Sequence, residues 1–186
     1  MTIESSVQPL TGEEFQEASE YLTKTRDELV EAIADLSETQ WTFRSSPERW
    51  SVGDNVEHLG IVETLFLQNT AALFDQLSMW QPGRQRLLDR DVVSMGINRG
   101  IKISAPERLL PSGTMRPQAA VARFLVARER TRDFLASTPD LRERFREHPV
   151  VGAIDIYQWV LLVGAHTERH RLQILEIKGD SQFPKS

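Results

Sequence analysis

The residues of this chain most able to carry chemistry are its histidines. Two of them, His166 and His170, stand four residues apart in the sequence HTERH. On an α-helix this spacing puts both imidazoles on one face, one turn apart, where they can chelate a metal ion. His58 precedes Val62 by four residues, which predicts the inward face of another helix. Two facing helices can therefore present three imidazole nitrogens to one point.

Three neutral nitrogen ligands leave coordination positions open for water or substrate, which is typical of a catalytic metal site. Imidazole suits Zn, Ni, Co, Cu or Fe. The alternative is that the three residues are core histidines satisfied by hydrogen bonds, and spacing alone does not separate the two possibilities. The chain has no cysteine, which excludes thiolate zinc sites, iron–sulfur clusters, disulfides and cysteine nucleophiles. We find no serine-based triad, glycine-rich phosphate loop or paired-carboxylate signature.

Polar and aromatic residues near the histidines have two possible roles each. Gln173 follows His170 by three residues, so it can reach a bound ligand or a water near the metal, or be a buried structural amide. Asp54, one turn before His58, can fix the imidazole tautomer or cap a helix. His148 precedes Pro149, which favours an extended backbone and a loop position. We expect side chains directed away from the site at Glu57 and Glu168, and core positions for Trp50 and Trp159.

Apolar residues recur every three or four positions along most of the chain, which predicts amphipathic helices. Four long helices are expected, over about 12–37, 51–78, 117–138 and 155–178, with start signals at Thr11, Ser51, Pro117 and Asp155. The arginines between 123 and 146 are interpreted as a solvated face. The predicted class is all-α, a four-helix bundle forming one domain over residues 1–186.

Two segments fit this pattern less well. Residues 80–116 hold several Gly and Pro residues with one helical piece predicted within 87–103, and loops of that length are uncommon in compact domains. We expect this segment to lie across the bundle, wall part of the metal pocket and select the substrate; a merely covering role is the alternative. Residues 140–147 are predicted as a short helical turn, and Val150-Val151 as the one strand-like pair.

Composition limits the partners. Lys and Arg total 22 against 27 for Asp and Glu, which gives a net charge of −5 and argues against a general nucleic-acid binder. The sequence has no long apolar run, so we predict no membrane span. The N-terminal residues lack the features of a signal peptide, and we expect a cytoplasmic location.

Two long motifs resemble the DinB/YfiT-like superfamily. They are RWSVGDNVEHLGIVE at 49–63 and HPVVGAIDIYQWVLLVGAHTERHRLQI at 148–174; PSGTM at 111–115 also fits. The resemblance covers most of the chain. It implies a four-helix bundle, often homodimeric, with a divalent metal on His58, His166 and His170. Zn and Ni are the leading candidates. Extra apolar positions such as Tyr21 and Phe134 would suit a dimer interface.

The resemblance leaves several functions open. Characterised members of the superfamily include enzymes that use low-molecular-weight thiols, and others are labelled metal-dependent hydrolases. Our first hypothesis is a metal-dependent transferase that activates such a thiol to attack a small electrophilic substrate. The alternatives are a metal-dependent hydrolase and a non-catalytic bundle that binds metal or a small ligand. The expected partner is therefore a small molecule, with Gln173 as a candidate contact to it.

Overall fold

Four long helices make up the body of the structure, and each begins at a predicted start signal. The computed structural model describes residues 3–4, 9–100 and 104–185. The helices are α1 (Gly12–Ala32), α2 (Glu38–Thr42), α3 (Val52–Asn69), α4 (Asp89–Ile97), α5 (Pro117–Ser137) and α6 (Ile156–Lys178). Thr11, Ser51 and Asp155 form reciprocal capping boxes at α1, α3 and α6, and Pro117 opens α5.

The packing of these helices brings α3 and α6 together. Helix α3 packs against α5 and α6, while α1 packs against the same two helices, and α4 lies on α6. The apolar stripes meet in a core that includes Leu22, Leu29, Leu59, Phe124 and Val160, all at most 2% exposed. The predicted all-α four-helix bundle is confirmed. In the described part of the chain, the helices lack the length and apolarity needed to span a membrane.

Short strands join the ends of the helices. They are β1 (Ile3–Glu4), β2 (Ser78–Met79), β3 (Arg86–Leu87), β4 (Arg144–His148) and β5 (Gly152–Asp155). β1 pairs antiparallel with β3, and β4 lies between β2 and β5 in an antiparallel sheet. The helical turn predicted at 140–147 is therefore wrong. Val150-Val151, predicted as strand, lies in the turn between β4 and β5, where Gly152 takes a positive φ of 85°.

Two predicted helices are shorter than their apolar stripes. The first was expected to reach Ser37 but ends at Ala32, and Asp35 takes a left-handed φ of 57°. The second was expected to reach Ser78 at about 40 Å, but α3 ends at Asn69, so its 18 residues span about 27 Å. A 3₁₀ helix follows at Ala71–Gln76, so the apolar spacing continues while the α-helix does not.

The segment 80–116 is structured. It contains β3, α4 and a 3₁₀ turn at Glu107–Leu109, so the helix predicted within 87–103 is confirmed for α4, whereas residues 101–103 lie outside the described residues. Helix α4 approaches α6 very closely at Gly96. A Cβ atom placed on Gly96 would lie 2.7 Å from the Cβ of Ala165, so only glycine permits this contact.

Two expectations about surface residues are wrong. Arg128 and Arg142, placed in the solvated face by the sequence, are 0% and 3% exposed. Phe134 is only 8% exposed within the core, and Tyr21 packs against Gly164 of α6. Phe134 is therefore occupied inside its own chain, whereas Tyr21 contacts α6 but stays half-buried. The homodimer itself stays a prediction that rests on the family resemblance.

Candidate metal centre

His58 points from α3 toward α6 with one ring nitrogen already engaged. Its Nδ1 lies 2.7 Å from the carbonyl oxygen of Leu109. Because a carbonyl oxygen can only accept a hydrogen bond, Nδ1 carries the proton and donates it. The lone pair of the ring is consequently on Nε2. Burial lowers the pKa of His58, and this keeps the ring neutral. The loop at Leu109 thus selects the tautomer in which Nε2 can bind a metal.

His170 of α6 is oriented in the same way by a side chain. Its Nδ1 lies 2.7 Å from Oδ1 of Asn55, while Nδ2 of Asn55 donates to the carbonyl oxygen of Ser51 at 2.8 Å. The bond to Ser51 fixes which end of the amide faces His170, so His170 donates from Nδ1 and keeps its lone pair on Nε2. Sequence reasoning missed Asn55, although its position three residues before His58 places it on the same side of α3.

His166 completes a cluster of three imidazoles. Its Nε2 lies 3.0 Å from Nε2 of His170, and its ring centroid lies 5.2 Å from that of His58. One ring nitrogen from each histidine lies within 4.8 Å of the other two, an arrangement that could hold a metal ion. The structure therefore brings together the three residues that the sequence singled out. Their bonds to Leu109 and Asn55 resemble the outer contacts that orient metal-binding histidines.

The electrostatics of the cluster favour neutral imidazoles. Burial lowers the pKa values of His166 and His170 well below the ordinary range, and neighbouring histidines and Arg169 lower them further. Among the arginines, Arg169 acts on both rings, Arg128 on His166 and Arg99 on His170. Neutral rings can coordinate a metal without first losing a proton. The cluster thus offers three lone pairs, and among the described residues it includes no carboxylate.

The cluster opens into a cavity of about 900 Å³. Trp50 lies against the histidine cluster. Its ring is nearly parallel to the ring of His170, and the two centroids are 5.9 Å apart. The sequence predicted Trp50 and Trp159 in the core, but both are half-buried and line the cavity. The segment 80–116 supplies another wall through Met95 and Gly96. The predicted position of this segment is confirmed, while its role in selecting a substrate stays a prediction.

Glu57 is directed away from the histidine cavity, as predicted, but it is buried. It is 4% exposed and directed at the loop, where its carboxylate accepts hydrogen bonds from the backbone amides of Ser112 at 2.8 Å and Gly113 at 3.3 Å. These bonds hold the loop whose Leu109 carbonyl accepts from His58. Glu57 is therefore a positioning residue for the site.

The remaining candidates lie as follows. Asp54 caps α3 and pairs with Arg44, so its role is capping and not contact with His58. Glu168 does not line the cavity, as predicted, and it pairs with Arg171. His148 lies at the end of β4 and lines the cavity. Gln173 also lines the cavity, and its Oε1 is buried with no hydrogen-bond partner in the described residues.

Replacing Asn55 by leucine should lower metal affinity by about tenfold to a hundredfold, because His170 loses the acceptor that fixes its tautomer. Titration with Zn²⁺ or Ni²⁺ measures the change. Asn69→Leu is the matched control: Asn69 lies on the same helix, lines the same cavity and donates to a carbonyl four residues back, yet touches no histidine. Equal affinities for both variants would contradict this role for Asn55.

Comparisons with known proteins identify a family and two similar proteins. The model of the DinB superfamily matches residues 21–174. The uncharacterized protein YuaE of Bacillus subtilis (strain 168) is 25% identical over 157 residues, covering 83% of this chain and 93% of YuaE. Among solved structures, YfiT from Bacillus subtilis matches with a TM-score of 0.63 at 16% identity, over 96% of this chain and 91% of that chain. YfiT is described as a probable metal-dependent hydrolase with an unusual four-helix bundle topology.

Proposed function

The chain belongs to the DinB superfamily, and from its histidine cluster we propose that it is a metal-dependent transferase that uses a low-molecular-weight thiol on a small electrophilic substrate. The observation that carries the proposal is the convergence of three neutral imidazoles on an open cavity, with the guanidinium of Arg169 acting on both His166 and His170. This environment favours an anionic nucleophile such as a thiolate.

The residues present fit a divalent metal. His58, His166 and His170 would hold it, and Zn or Ni are the leading candidates because both accept imidazole nitrogens. When bound, such a metal supplies Lewis acidity that lowers the pKa of a coordinated thiol or water. Leu109 and Asn55 keep two of the rings in the metal-binding tautomer. The orphaned Oε1 of Gln173 can accept a hydrogen bond from a ligand in the cavity.

A metal-dependent hydrolase is the second candidate, and the description of YfiT favours it. Activation of water needs a general base near the site. Each carboxylate that lines the cavity has a partner in the described structure. Glu147 pairs with Arg84 and Glu176 with Arg99. Glu48 accepts a hydrogen bond from the hydroxyl of Ser46, and Asp180 accepts one from the backbone amide of Gln182. Metal-assisted loss of a thiol proton depends less on such a base, because a thiol is far more acidic than water. This difference favours the transferase.

We expect the metal-loaded protein to accelerate the reaction of a low-molecular-weight thiol with an activated aryl halide. The assay follows thiol loss for cysteine, glutathione and coenzyme A, alongside an activated ester and an amide without thiol. Chelator-treated protein and the His166→Ala variant should show only the uncatalysed rate. Ester or amide hydrolysis that needs the metal but no thiol would instead establish the hydrolase.

A further inference from the structure

The wall of the cavity at Trp159 carries two side chains outside the histidine triad, which consists of His58, His166 and His170. Arg146 and His148 are two residues apart on β4, so they face the same side of the strand. The guanidinium carbon of Arg146 lies 4.9 Å from the centroid of the Trp159 ring, and the His148 ring lies 5.1 Å from it, edge to face. All three side chains line the cavity that contains the triad.

Arg146 holds a positive charge that no acid balances. Its Nη1 donates to the hydroxyl of Thr70, and its guanidinium covers Trp159, but it forms no ion pair with any residue that the structure describes. Arg99 of the same cavity differs, because it pairs with Glu176. Burial lowers the pKa of Arg146, which reflects the cost of desolvating the charge. A half-buried guanidinium retains donors for an anion, since it carries five N–H groups.

His148 supplies a neutral donor beside this charge. Its Nδ1 accepts hydrogen bonds from the backbone amides of Val150 at 3.2 Å and Val151 at 3.1 Å, so the ring proton is on Nε2. Burial, followed by the charge of Arg146, lowers the pKa of His148 and keeps the ring neutral. Within the described ranges, the Nε2–H group of His148 has no acceptor.

The acid nearest to these two residues in sequence already has a partner. Glu147 lies between them on β4 and also lines the cavity, but its carboxylate pairs with Arg84. The arginines that act on His166 are Arg169 and Arg128. A divalent metal would add to this positive potential. At the Trp159 end of the cavity, an anionic group on the substrate would complement the guanidinium of Arg146.

We propose that Arg146 and His148 bind a carboxylate of the substrate at the Trp159 end of the triad cavity. A carboxylate offers two coplanar oxygens, so it can accept from the guanidinium fork and from the Nε2–H group of His148. The assignment rests on the proposed function only in taking this cavity as the substrate pocket. It specifies the substrate class as small molecules that carry an acid group in addition to their reactive centre.

Binding of benzoate, compared with its neutral analogue benzamide, tests the proposal. Isothermal titration of chelator-treated protein excludes direct coordination to a metal. We expect benzoate to bind more tightly than benzamide, and Arg146→Gln to weaken benzoate about tenfold to a hundredfold while leaving benzamide unchanged. Arg146→Lys keeps the charge but loses the fork, so an intermediate loss is expected. Arg99→Gln is the matched control and should stay within about twofold of wild type, because Glu176 already balances Arg99.

The outcomes separate this proposal from the function of the triad. Equal binding of benzoate and benzamide, or equal losses in Arg146→Gln and Arg99→Gln, would overturn the carboxylate site. If inorganic phosphate binds more tightly than benzoate, and Arg146→Gln abolishes that binding, the choice of carboxylate as the ligand is wrong. Metal content is measured on the same variants and should equal that of wild type. If His170→Ala loses its metal but still binds benzoate, the metal site and the carboxylate site are separate parts of one cavity.

Discussion

Alanine in place of His170 is expected to remove detectable metal binding and, with it, any metal-dependent activity. His170 supplies one of three imidazole nitrogens, and its Nε2 lies 3.0 Å from that of His166. Structural zinc sites with four ligands bind with about 10–16 kcal/mol, which corresponds to roughly 3 kcal/mol for each ligand. Losing one ligand should therefore weaken binding more than about a hundredfold. Metal analysis after dialysis and direct titration with Zn²⁺ and Ni²⁺ measure the change.

Two further variants make this experiment specific. His148→Ala removes a histidine from the same cavity that is not part of the triad, and it should retain the wild-type metal content. His170→Gln fills more of the buried space and offers Asn55 a donor, so it separates loss of the ligand from loss of packing. Because alanine leaves Oδ1 of Asn55 unpaired, a stability cost of about 1–3 kcal/mol is expected. A folded His170→Ala protein with full metal content would show that the triad is not the metal site.

The sequence could predict the triad because helical periodicity fixes the direction of a side chain. His166 and His170 are four residues apart, and the capping signal at Asp155 sets where their helix begins. The bond partners of the imidazoles could not be predicted in the same way. Leu109 reaches His58 from a loop 51 residues away, and no local pattern specifies the path of such a loop.

The strand β4 was missed because its sequence, RFREH, lacks the apolar alternation of a half-buried strand. Arginine takes the place of apolar residues here. Arg144 lies over the ring of Phe74 and Arg146 over that of Trp159, so the aliphatic stems and planar head groups cover aromatic surface. A pattern read from a single sequence treats such arginines as solvent-exposed. In the structure, aromatic residues distant in the sequence determine where they lie.

The burial of Arg128 could have been predicted from its position in the sequence. It follows Phe124 by four residues and precedes Leu135 by seven, so it stands on the apolar stripe of α5. Glu63 likewise lies on the inward side of α3, between Leu59 and Phe66. Opposite charges on the inward stripes of two helices predict a buried ion pair, and sequence reasoning that asks only which faces are polar overlooks it.

Arg128 connects all four long helices through one side chain. From α5 it donates to both carboxylate oxygens of Glu63 on α3, at 2.8 and 3.1 Å. It also donates to the carbonyl oxygen of Leu22 and the hydroxyl of Thr25 on α1, and to the hydroxyl of Thr167 on α6 at 2.7 Å. Thr167 is adjacent to His166, so this network also fixes the rotation of α6 that directs the triad.

Glu63→Ala should therefore destabilise the protein by about 3–5 kcal/mol, because Arg128 would stay buried with an uncompensated charge. For a domain of this size, each kcal/mol lowers Tm by roughly 2–4 °C, so a fall of about 6–20 °C is expected. Chemical and thermal unfolding measure the two quantities. Glu129→Ala is the matched control. Glu129 is exposed and pairs with Arg132 on α5 and Arg26 on α1, so its loss should cost less than about 1 kcal/mol.

The double variant Glu63→Leu with Arg128→Met separates the charge from the packing. Leucine and methionine fill similar space without a charge, so the double variant should be more stable than Glu63→Ala, as replacement of a buried ion pair by apolar residues is often neutral or stabilising. It would still lose the bond to Thr167, and we expect its metal affinity to fall because α6 is then held less firmly. A double variant as unstable as Glu63→Ala would show that the bonds from Arg128 to α1 and α6, and not the relief of an unpaired charge, set the stability of the bundle.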